Sequence, residues 1–342
     1  MDPKRRILAY LGRRPSASGA QLRTHLGISR QALSVHLRPL VESGQVVRVG
    51  AARSARYLRR ERAPRPAVVT RVLRTTGLDE SEVWERLEAT LGLRRALRPN
   101  VEAIAHYGLT EMLNNAIEHS EADRCSVRCS IDPSLFSFDV RDPGIGVFHS
   151  IASKLHLEDE QHALIELLKG RTTTMRQAHT GEGIFFTSRA ADRFVLRSHR
   201  IRVEWNRARD DVFVSNPRYV RGTHVSFAVQ CNTRRRLEDL FASFAPEEYD
   251  YRFDKTRVLV KLLRSDYVSR SEGRRLTANL QKFREIVLDF RGVKSLGQGF
   301  ADEVFRVLRT RHPDVSIKAE NTTPVIDAMI RHAESSPADR PV

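Results

Sequence analysis

The chain has 342 residues and a net formal charge of +16, with 40% hydrophobic and 29% charged residues, which is the balance of a globular protein of two or three domains. No apolar run approaches the ~20 residues that span a bilayer, the first residues (MDPKRRILAY) lack the pattern of a secretory signal, and three cysteines cannot build a disulfide framework. We therefore expect a cytoplasmic protein without membrane contact, and we exclude integral membrane proteins, secreted mini-proteins and zinc fingers.

Basic residues are concentrated in the first 66 residues. This segment carries fifteen lysines and arginines against three acidic residues, and its net charge of +12 leaves +4 for the other 276 residues. A small, strongly basic segment on a near-neutral body predicts a polyanionic partner, most simply nucleic acid. Charge alone leaves open a solvated basic face or attraction to a membrane surface.

The basic segment has the pattern of three helices followed by a β-hairpin. Residues 4–12 carry apolar side chains at helical spacing, and a short helix is predicted for residues 19–26. Ser29 can cap the next helix, RQALSVHLRPLVESG, whose apolar residues form one stripe. Two β-like runs follow, QVVRVG and ARYLRR, and the turn that joins them carries Arg53.

This order of elements in residues 1–62 resembles the winged helix-turn-helix domains of bacterial repressors, and the phrase GISRQALSVHLRPLVESGQVVRVG carries the resemblance. In such domains the second helix of the unit enters the major groove and the wing touches the DNA backbone or the minor groove. The resemblance implies double-stranded DNA as a partner, contacted by Arg30, Gln31, Ser34, Arg38, Arg53 and Arg56. A winged helix used only for protein contacts is the alternative, and the density of arginines disfavours it.

Residues 63–99 are predicted to be a linker and a connector helix. ERAPRP is a charged segment with two prolines, and residues 80–97 have helical periodicity. The helix could support a dimer interface or pack on the next domain, and the sequence leaves both open. We expect the chain to act as a homodimer.

Three short motifs follow in order between residues 100 and 232. EMLNNAIEH places Glu111 and Asn115 close to one face of a helix, where a carboxylate and a carboxamide can position a water and a magnesium ion. DPGIG, which begins at Asp142, ends an alternating run and offers a carboxylate to an exocyclic amine, beside glycines that permit close approach. TGEGI puts a glycine turn before a helix, which suits phosphates.

This ordered set resembles the N, G1 and G2 boxes of the GHKL ATPase superfamily, which includes gyrases, histidine kinases and mismatch-repair ATPases. A later Gly-Thr pair before HVSFAV matches a fourth element of that fold. The resemblance implies an α/β sandwich that binds ATP and Mg²⁺, with Glu111 as the water-activating base and Asn115 as the magnesium ligand. It also implies an ATP pocket in which Asp142 and Thr223 read the adenine and four glycines shape the walls, namely Gly144, Gly146, Gly181 and Gly183.

The resemblance further implies that residues 149–180 cover the nucleotide, with Lys169, Arg171 and the threonines 172–174 near the phosphates. The G2 box departs from the usual GLG type, because it reads GEG and Glu182 would repel a triphosphate unless it points away. The ExxxNAxxH form of the N box is closest to anti-sigma-factor serine kinases and to gyrase-like ATPases.

After a linker predicted at residues 233–253, residues 254–334 alternate strand and helix, which predicts a small α/β sheet before a tail at 335–342. The phrase IVLDFRGVKSLGQGFADEVF resembles STAS domains, the anti-sigma-factor antagonists. In that family a serine stands at the loop before the helix, whereas this chain has Gly-Gln-Gly there and Ser295 is out of register.

The resemblance to STAS domains implies a protein partner for the C-terminal domain. Because its loop offers no hydroxyl at the expected place, we expect a docking or coupling surface formed by Gln298, Phe300 and the following helix, without phosphate transfer.

The sequence thus predicts a multidomain α+β chain: a winged helix, a GHKL α/β sandwich and a small STAS-like α/β domain. The predicted function is transcription regulation, in which the nucleotide state of the GHKL domain controls DNA binding. Two alternatives stay open: a serine/threonine protein kinase of the anti-sigma-factor type that acts on a partner protein, and a binding module that holds nucleotide without turnover. The motifs leave open whether ATP is hydrolysed, transferred or only bound.

Overall fold

In a computed structural model of the chain, the described residues are 2–49, 55–63, 65–170, 183–244, 255–262, 266–267 and 269–335. Their strands form a three-stranded sheet, a seven-stranded sheet, a second three-stranded sheet and a two-stranded pair. Within these ranges, no helix has both the length and the apolar character needed to cross a membrane.

The N-terminal elements form the predicted winged helix. Their bounds are α1 (Pro3–Gly12), β1 (Ala17–Ser18), α2 (Gly19–Leu26), α3 (Arg30–Glu42), β2 (Val46–Val49) and β3 (Arg56–Arg59), followed by a 3₁₀ turn (Arg60–Arg62). Ser18 and Ser29 cap α2 and α3, because each side-chain oxygen accepts a bond from a backbone N–H three residues later. The three helices bury one apolar cluster, which includes Ile7, Leu11, Leu22, Leu33 and Leu37.

The central elements form one antiparallel sheet covered by helices. Their bounds are β4 (Ala67–Arg74), α4 (Glu80–Leu91), α5 (Leu93–Ala96), α6 (Pro99–His119), β5 (Arg124–Ile131), β6 (Leu135–Asp142), α7 (Val147–Lys154), α8 (Glu160–Lys169), α9 (Gly183–Ala190), β7 (Arg193–His199), β8 (Ile201–Asn206), β9 (Asp211–Ser215), β10 (Val220–Gln230) and α10 (Leu237–Phe244). The strand order is β4-β5-β6-β10-β7-β8-β9. Helix α6 packs against β6 and β10 and also touches α4 and α9.

The sheet includes β4, whose residues were predicted to belong to a linker. Ala67 pairs with Ile131 and Arg74 with Arg124. Val69 is the one side chain of β4 that is fully buried, so this edge strand lacks the alternating pattern by which half-buried strands are predicted. Helix α4 buries its apolar stripe against the domain, and α10 occupies part of the predicted linker at 233–253.

The C-terminal elements form the predicted small α/β domain. Their bounds are β11 (Lys255–Leu259), a 3₁₀ turn (Val260–Leu262), β12 (Asp266–Tyr267), α11 (Arg270–Thr277), a second 3₁₀ turn (Leu280–Lys282), β13 (Glu285–Asp289), β14 (Ser295–Leu296), α12 (Gln298–Ala301), a π-helical stretch (Asp302–Val307), α13 (Leu308–Arg311), β15 (Ser316–Glu320) and α14 (Pro324–Ser335). Strands β11, β13 and β15 are parallel, with β13 in the centre.

Phe300 does not belong to an external surface of this domain. Its side chain is fully buried, and its ring lies 4.7 Å from that of Tyr267. The prediction that Phe300 forms part of a docking surface is therefore wrong, because this side chain fills the core between the sheet and the helices. Gln298 is exposed, as that prediction requires.

Candidate nucleotide site and nucleic-acid interface

The pairing of β6 with β10 brings Asp142 and Thr223 together, since the two residues are opposite each other in the ladder. Asp142 is 5% exposed, and its Oδ1 accepts hydrogen bonds from the backbone N–H of Gly144 at 3.0 Å and of Thr223 at 3.3 Å. The Thr223 hydroxyl accepts a bond from the backbone N–H of Val147 at 3.0 Å. These bonds fix the loop at residues 142–146, here called the G1 loop, against the end of the sheet.

Burial shifts the pKa of Asp142. Removal from water raises the pKa of this carboxyl above its ordinary value, although the backbone N–H groups of Gly144, Thr223 and Asp142 itself oppose the shift. Among the described residues, the bonds from Gly144 and Thr223 both end on Oδ1, which leaves Oδ2 to accept from a ligand amine. A buried carboxylate with one spare oxygen can therefore recognise an exocyclic amine.

Two glycines are required by close backbone approach. A Cβ on Gly144 would lie 1.9 Å from the carbonyl oxygen of Ser120. Gly146 has φ +85°, and a Cβ there would lie 2.5 Å from the Ser198 hydroxyl. A larger residue at either position would displace the G1 loop from the end of α6 or from β7, so the two predicted glycines have a definite structural reason.

Glu111 and Asn115 lie one turn apart on α6. The Asn115 side-chain amide donates to the carbonyl oxygen of Glu111 at 2.8 Å. Because the NH₂ group makes this bond, the Oδ1 of Asn115 can serve as a ligand for a cation. Gly183, the first residue of α9, lies against the Glu111 carboxylate, because a Cβ there would be 2.1 Å from Oε2. Gly181 lies outside the described residues.

These groups suit a magnesium nucleotide. An amide oxygen and a carboxylate are oxygen ligands of the kind that Mg²⁺ prefers, and the glycines remove the side chains that would fill the space beside the G1 loop. Within the described part of the chain, a cleft of about 370 Å³ is lined by Gly144 and Ile145 of the G1 loop, whereas Asp142, Glu111 and Asn115 are not among its lining residues. The same cleft is lined by His149, from the segment predicted to cover the nucleotide, and by three residues outside the predicted motifs: His199, Tyr219 and Arg221.

Lys169 does not lie at the predicted phosphate position. Its side chain is fully buried, and its ammonium donates to Glu166 Oε1 at 2.7 Å and to the backbone carbonyl of Ala278 at 2.7 Å. The prediction that Lys169 contacts phosphates is therefore wrong, because these partners hold it in the boundary with the C-terminal domain. Arg171 and residues 172–174 lie outside the described residues.

The exposed face of α3 carries four of the residues predicted to contact DNA. Leu33, Leu37 and Leu40 point into the domain core, while the opposite face carries Arg30, Gln31, Ser34 and Arg38, all exposed. Val35, an apolar residue outside the predicted contact set, is 67% exposed on the same helix, where an apolar side chain can contact a thymine methyl group.

The wing side of this surface is carried by β3. Arg56 is exposed on that strand, and its Nε donates to the Ser16 hydroxyl at 3.1 Å. This bond links the strand to the turn that precedes α2. Arg53 lies outside the described residues.

Known families match three parts of the chain. Residues 2–47 match winged helix-turn-helix DNA-binding domains, residues 60–205 match the histidine kinase-like ATPase domain, and residues 272–327 match a STAS-like domain of unknown function. A comparison with curated proteins gave no match. The ATPase match includes β4, in agreement with its place in the large sheet. The chain therefore joins a winged helix-turn-helix domain, a histidine kinase-like ATPase domain and a STAS-like domain.

Proposed function

We propose that this chain is a transcription regulator in which ATP, bound with Mg²⁺ in the ATPase domain, controls DNA binding by the winged helix. The fusion of a DNA-binding domain to a nucleotide-binding domain supports the proposal. The observation that carries it is an ion pair between the residue that follows the wing strand β3 and a residue that precedes strand β6 of the sheet containing Asp142.

That bond joins Arg60 to Asp132. Arg60 directly follows the wing strand β3, and its Nη1 donates to Asp132 Oδ2 at 3.0 Å. Burial raises the pKa of Asp132, but the bonds from Ser134, Arg60 and Leu135 outweigh this effect and leave the pKa below its ordinary value. Asp132 therefore stays charged at neutral pH and holds the arginine.

The same 3₁₀ turn also holds the winged helix. Arg62 donates from Nη2 to the carbonyl oxygen of Gly12, at the end of α1, at 2.9 Å. Asp132 stands just before β6, and Asp142 ends that strand. One eight-residue strand, roughly 25 Å long at 3.3 Å per residue, thus runs from the wing contact to the carboxylate proposed to read adenine.

Each proposed ligand of the nucleotide has a separate task. Asp142 would accept from the adenine amine, Asn115 would hold the magnesium ion through its amide oxygen, and the bound Mg²⁺ would supply charge neutralisation for the phosphates. Glu111 would orient or deprotonate a water if ATP is turned over. Control of DNA binding needs no turnover, because it requires only that ATP favour one arrangement of the winged helix.

DNA recognition would divide between α3 and the wing. Arg30, Arg38 and Arg56 would neutralise phosphates, which gives salt-dependent affinity, while Gln31 and Ser34 would read base edges in the major groove. Two copies of the chain would read two half-sites, because such domains bind DNA as dimers with half-sites one helical turn apart. The STAS-like domain would contribute a surface for a protein partner.

Fluorescence anisotropy with labelled duplexes from around the chain's own gene tests this function. We expect nanomolar to micromolar binding that weakens with salt, and a change of about fivefold or more on addition of ATP and Mg²⁺. The variant Asp142→Asn should bind DNA but lose the response to ATP. Salt-insensitive binding, or an ATP-bound protein whose DNA affinity is unchanged, would contradict the proposal.

A further inference from the structure

Helix α9 is shared between the proposed ATP site and the STAS-like domain. Its first residue, Gly183, lies against the carboxylate of Glu111. Within the first turn, Phe185 and Phe186 are only 2% and 3% exposed, and both belong to the apolar core of the STAS-like domain. One short helix therefore touches the proposed catalytic carboxylate at its start and is buried in the neighbouring domain immediately afterwards.

Aromatic contacts hold this helix in place. The ring of Phe186 meets Phe241 edge-on at 4.8 Å, and Phe185 meets Phe244 in the same way at 5.0 Å. Tyr107, one turn before Glu111 on α6, also contacts Phe241 edge-on at 5.4 Å. Edge-on geometry of this kind is favourable between aromatic rings. The aromatic cluster thus joins α6, α9 and α10 on the side that faces the STAS-like domain.

A buried ion pair makes the second connection. Lys169, the last residue of α8, is fully buried, and Glu166 is its partner within the same helix. The ammonium also donates to the carbonyl oxygens of Arg275 at 3.1 Å and Ala278 at 2.7 Å, at the C-terminal end of α11. Asn279 donates from Nδ2 to Glu166 Oε2 at 3.0 Å.

These contacts satisfy the whole pair across the domain boundary. An ammonium has three N–H donors. Lys169 directs one to the carboxylate of Glu166 on its own helix and the other two to backbone carbonyls of the STAS-like domain. The carbonyl end of a helix also attracts a cation. The hydroxyl of Thr256, on the first strand of the STAS-like domain, donates in turn to the carbonyl oxygen of Lys169. The arrangement therefore needs the STAS-like domain to be complete.

We propose that the STAS-like domain positions the ATP site in the same chain. Through the Glu166–Lys169 pair it holds α8, and through Phe185 and Phe186 it holds α9 with Gly183 against Glu111. Lys169 is thus a positioning residue that acts through these helices and touches no nucleotide. The part of this inference that concerns ATP rests on the proposed function of the site.

Full-length protein with the double substitution Glu166→Gln and Lys169→Met tests the inference. This variant removes both charges together, so no unpaired buried charge remains, and it keeps side chains of similar length. The matched control is Arg309→Met, which breaks the 2.7 Å ion pair of Arg309 with Glu334 inside the STAS-like domain. Thr256→Val, which removes only a hydroxyl that bonds to Lys169, serves as a milder second variant if the double variant does not fold.

Amide hydrogen exchange without nucleotide is the first readout. We expect the amides of residues 183–190 to exchange about tenfold faster or more in the double variant than in the control, while β13 keeps its wild-type rates. A merely structural pair would lower the melting temperature and leave the rates of α9 unchanged relative to the control. That outcome, or wild-type exchange in a folded Thr256→Val variant, would overturn the inference.

Calorimetric titration with ATP and Mg²⁺ is the second readout. We expect the double variant to bind ATP about fivefold more weakly or worse, whereas the control binds as wild type does. If the wild-type protein binds no ATP, the proposed function fails, and the exchange measurement alone decides whether the STAS-like domain positions α9. If the wild type binds ATP and the double variant binds it equally well, the positioning role is refuted and the proposed function stands.

Discussion

Replacement of Asp142 by Asn should weaken ATP binding while the protein stays folded. The amide oxygen of Asn can still accept from the N–H groups of Gly144 and Thr223, which now bond to Oδ1. Burial raises the pKa of Asp142, so the buried site disfavours the charge and tolerates a neutral amide. We therefore expect a folded variant with a melting temperature close to that of the wild type.

The same change should cost the protein most of its affinity for ATP. A bond to a charged acceptor contributes about 1.5–3 kcal/mol, and a buried donor left without a partner costs about 1–3 kcal/mol. The Asn amide would present its NH₂ group to the adenine amine, so both effects apply and together amount to about 2.5–6 kcal/mol. At about 1.4 kcal/mol for each tenfold change, ATP should bind about 10²–10⁴-fold more weakly.

Isothermal titration calorimetry with ATP and Mg²⁺ measures this loss. The matched control is Asp139→Asn, because Asp139 lies on the same strand and bonds across the same ladder, to Ser226 of β10. We expect the control to bind ATP as the wild type does. A folded Asp142→Asn variant with unchanged ATP affinity would refute the assignment of this carboxylate to the adenine.

Three further predictions concern the magnesium site, the pH dependence of ATP binding and the DNA contacts. Glu111→Ala should bind ATP but lose about 10²–10⁴-fold of any turnover measured by phosphate release, and turnover equal to that of the wild type would exclude a catalytic role for Glu111. Asn115→Ala should lose the magnesium dependence of ATP binding in calorimetry. ATP affinity should fall as the pH falls, because protonated Asp142 no longer accepts from the adenine amine. Since burial raises the pKa of Asp142, the fall should begin at a higher pH than for an ordinary carboxyl of pKa ~3.9. Calorimetric titration at a series of pH values checks this prediction, and a pH-independent affinity would contradict it. Arg56→Ala should weaken binding to all duplexes and flatten the salt slope, whereas Gln31→Ala should change sequence preference in a competition assay; an unchanged salt slope or unchanged preference would count against these roles.

The sequence predicted the parts of the protein whose chemistry is local. Asp142 and its glycines form a short motif whose residues touch one another, and the spacing of Glu111 and Asn115 places them on one helix face without knowledge of the rest of the chain. The alternation of strands and helices in the C-terminal domain likewise follows from hydrophobic patterns within each segment.

The parts that were missed depend on distant partners. Lys169 bonds to carbonyl groups more than 100 residues away, so nothing in its neighbourhood distinguishes it from a phosphate-binding lysine. β4 is stabilised by pairing with β5 rather than by a buried face, and its sequence therefore resembles a linker. Phe300 shows the converse error, because a predicted surface residue proved to be core.

Reciprocal linkage between ATP and DNA is the sharpest test of the proposed control of DNA binding, because it requires both sites to act in one molecule. The measurement is the dissociation constant of ATP with Mg²⁺, by calorimetry, in the absence and in the presence of a saturating specific duplex. We expect DNA to change the affinity for ATP by the same factor by which ATP changes the affinity for DNA, about fivefold or more. An ATP affinity that is identical with and without bound DNA would show that the ATPase domain and the winged helix are not coupled, and would contradict the proposed function.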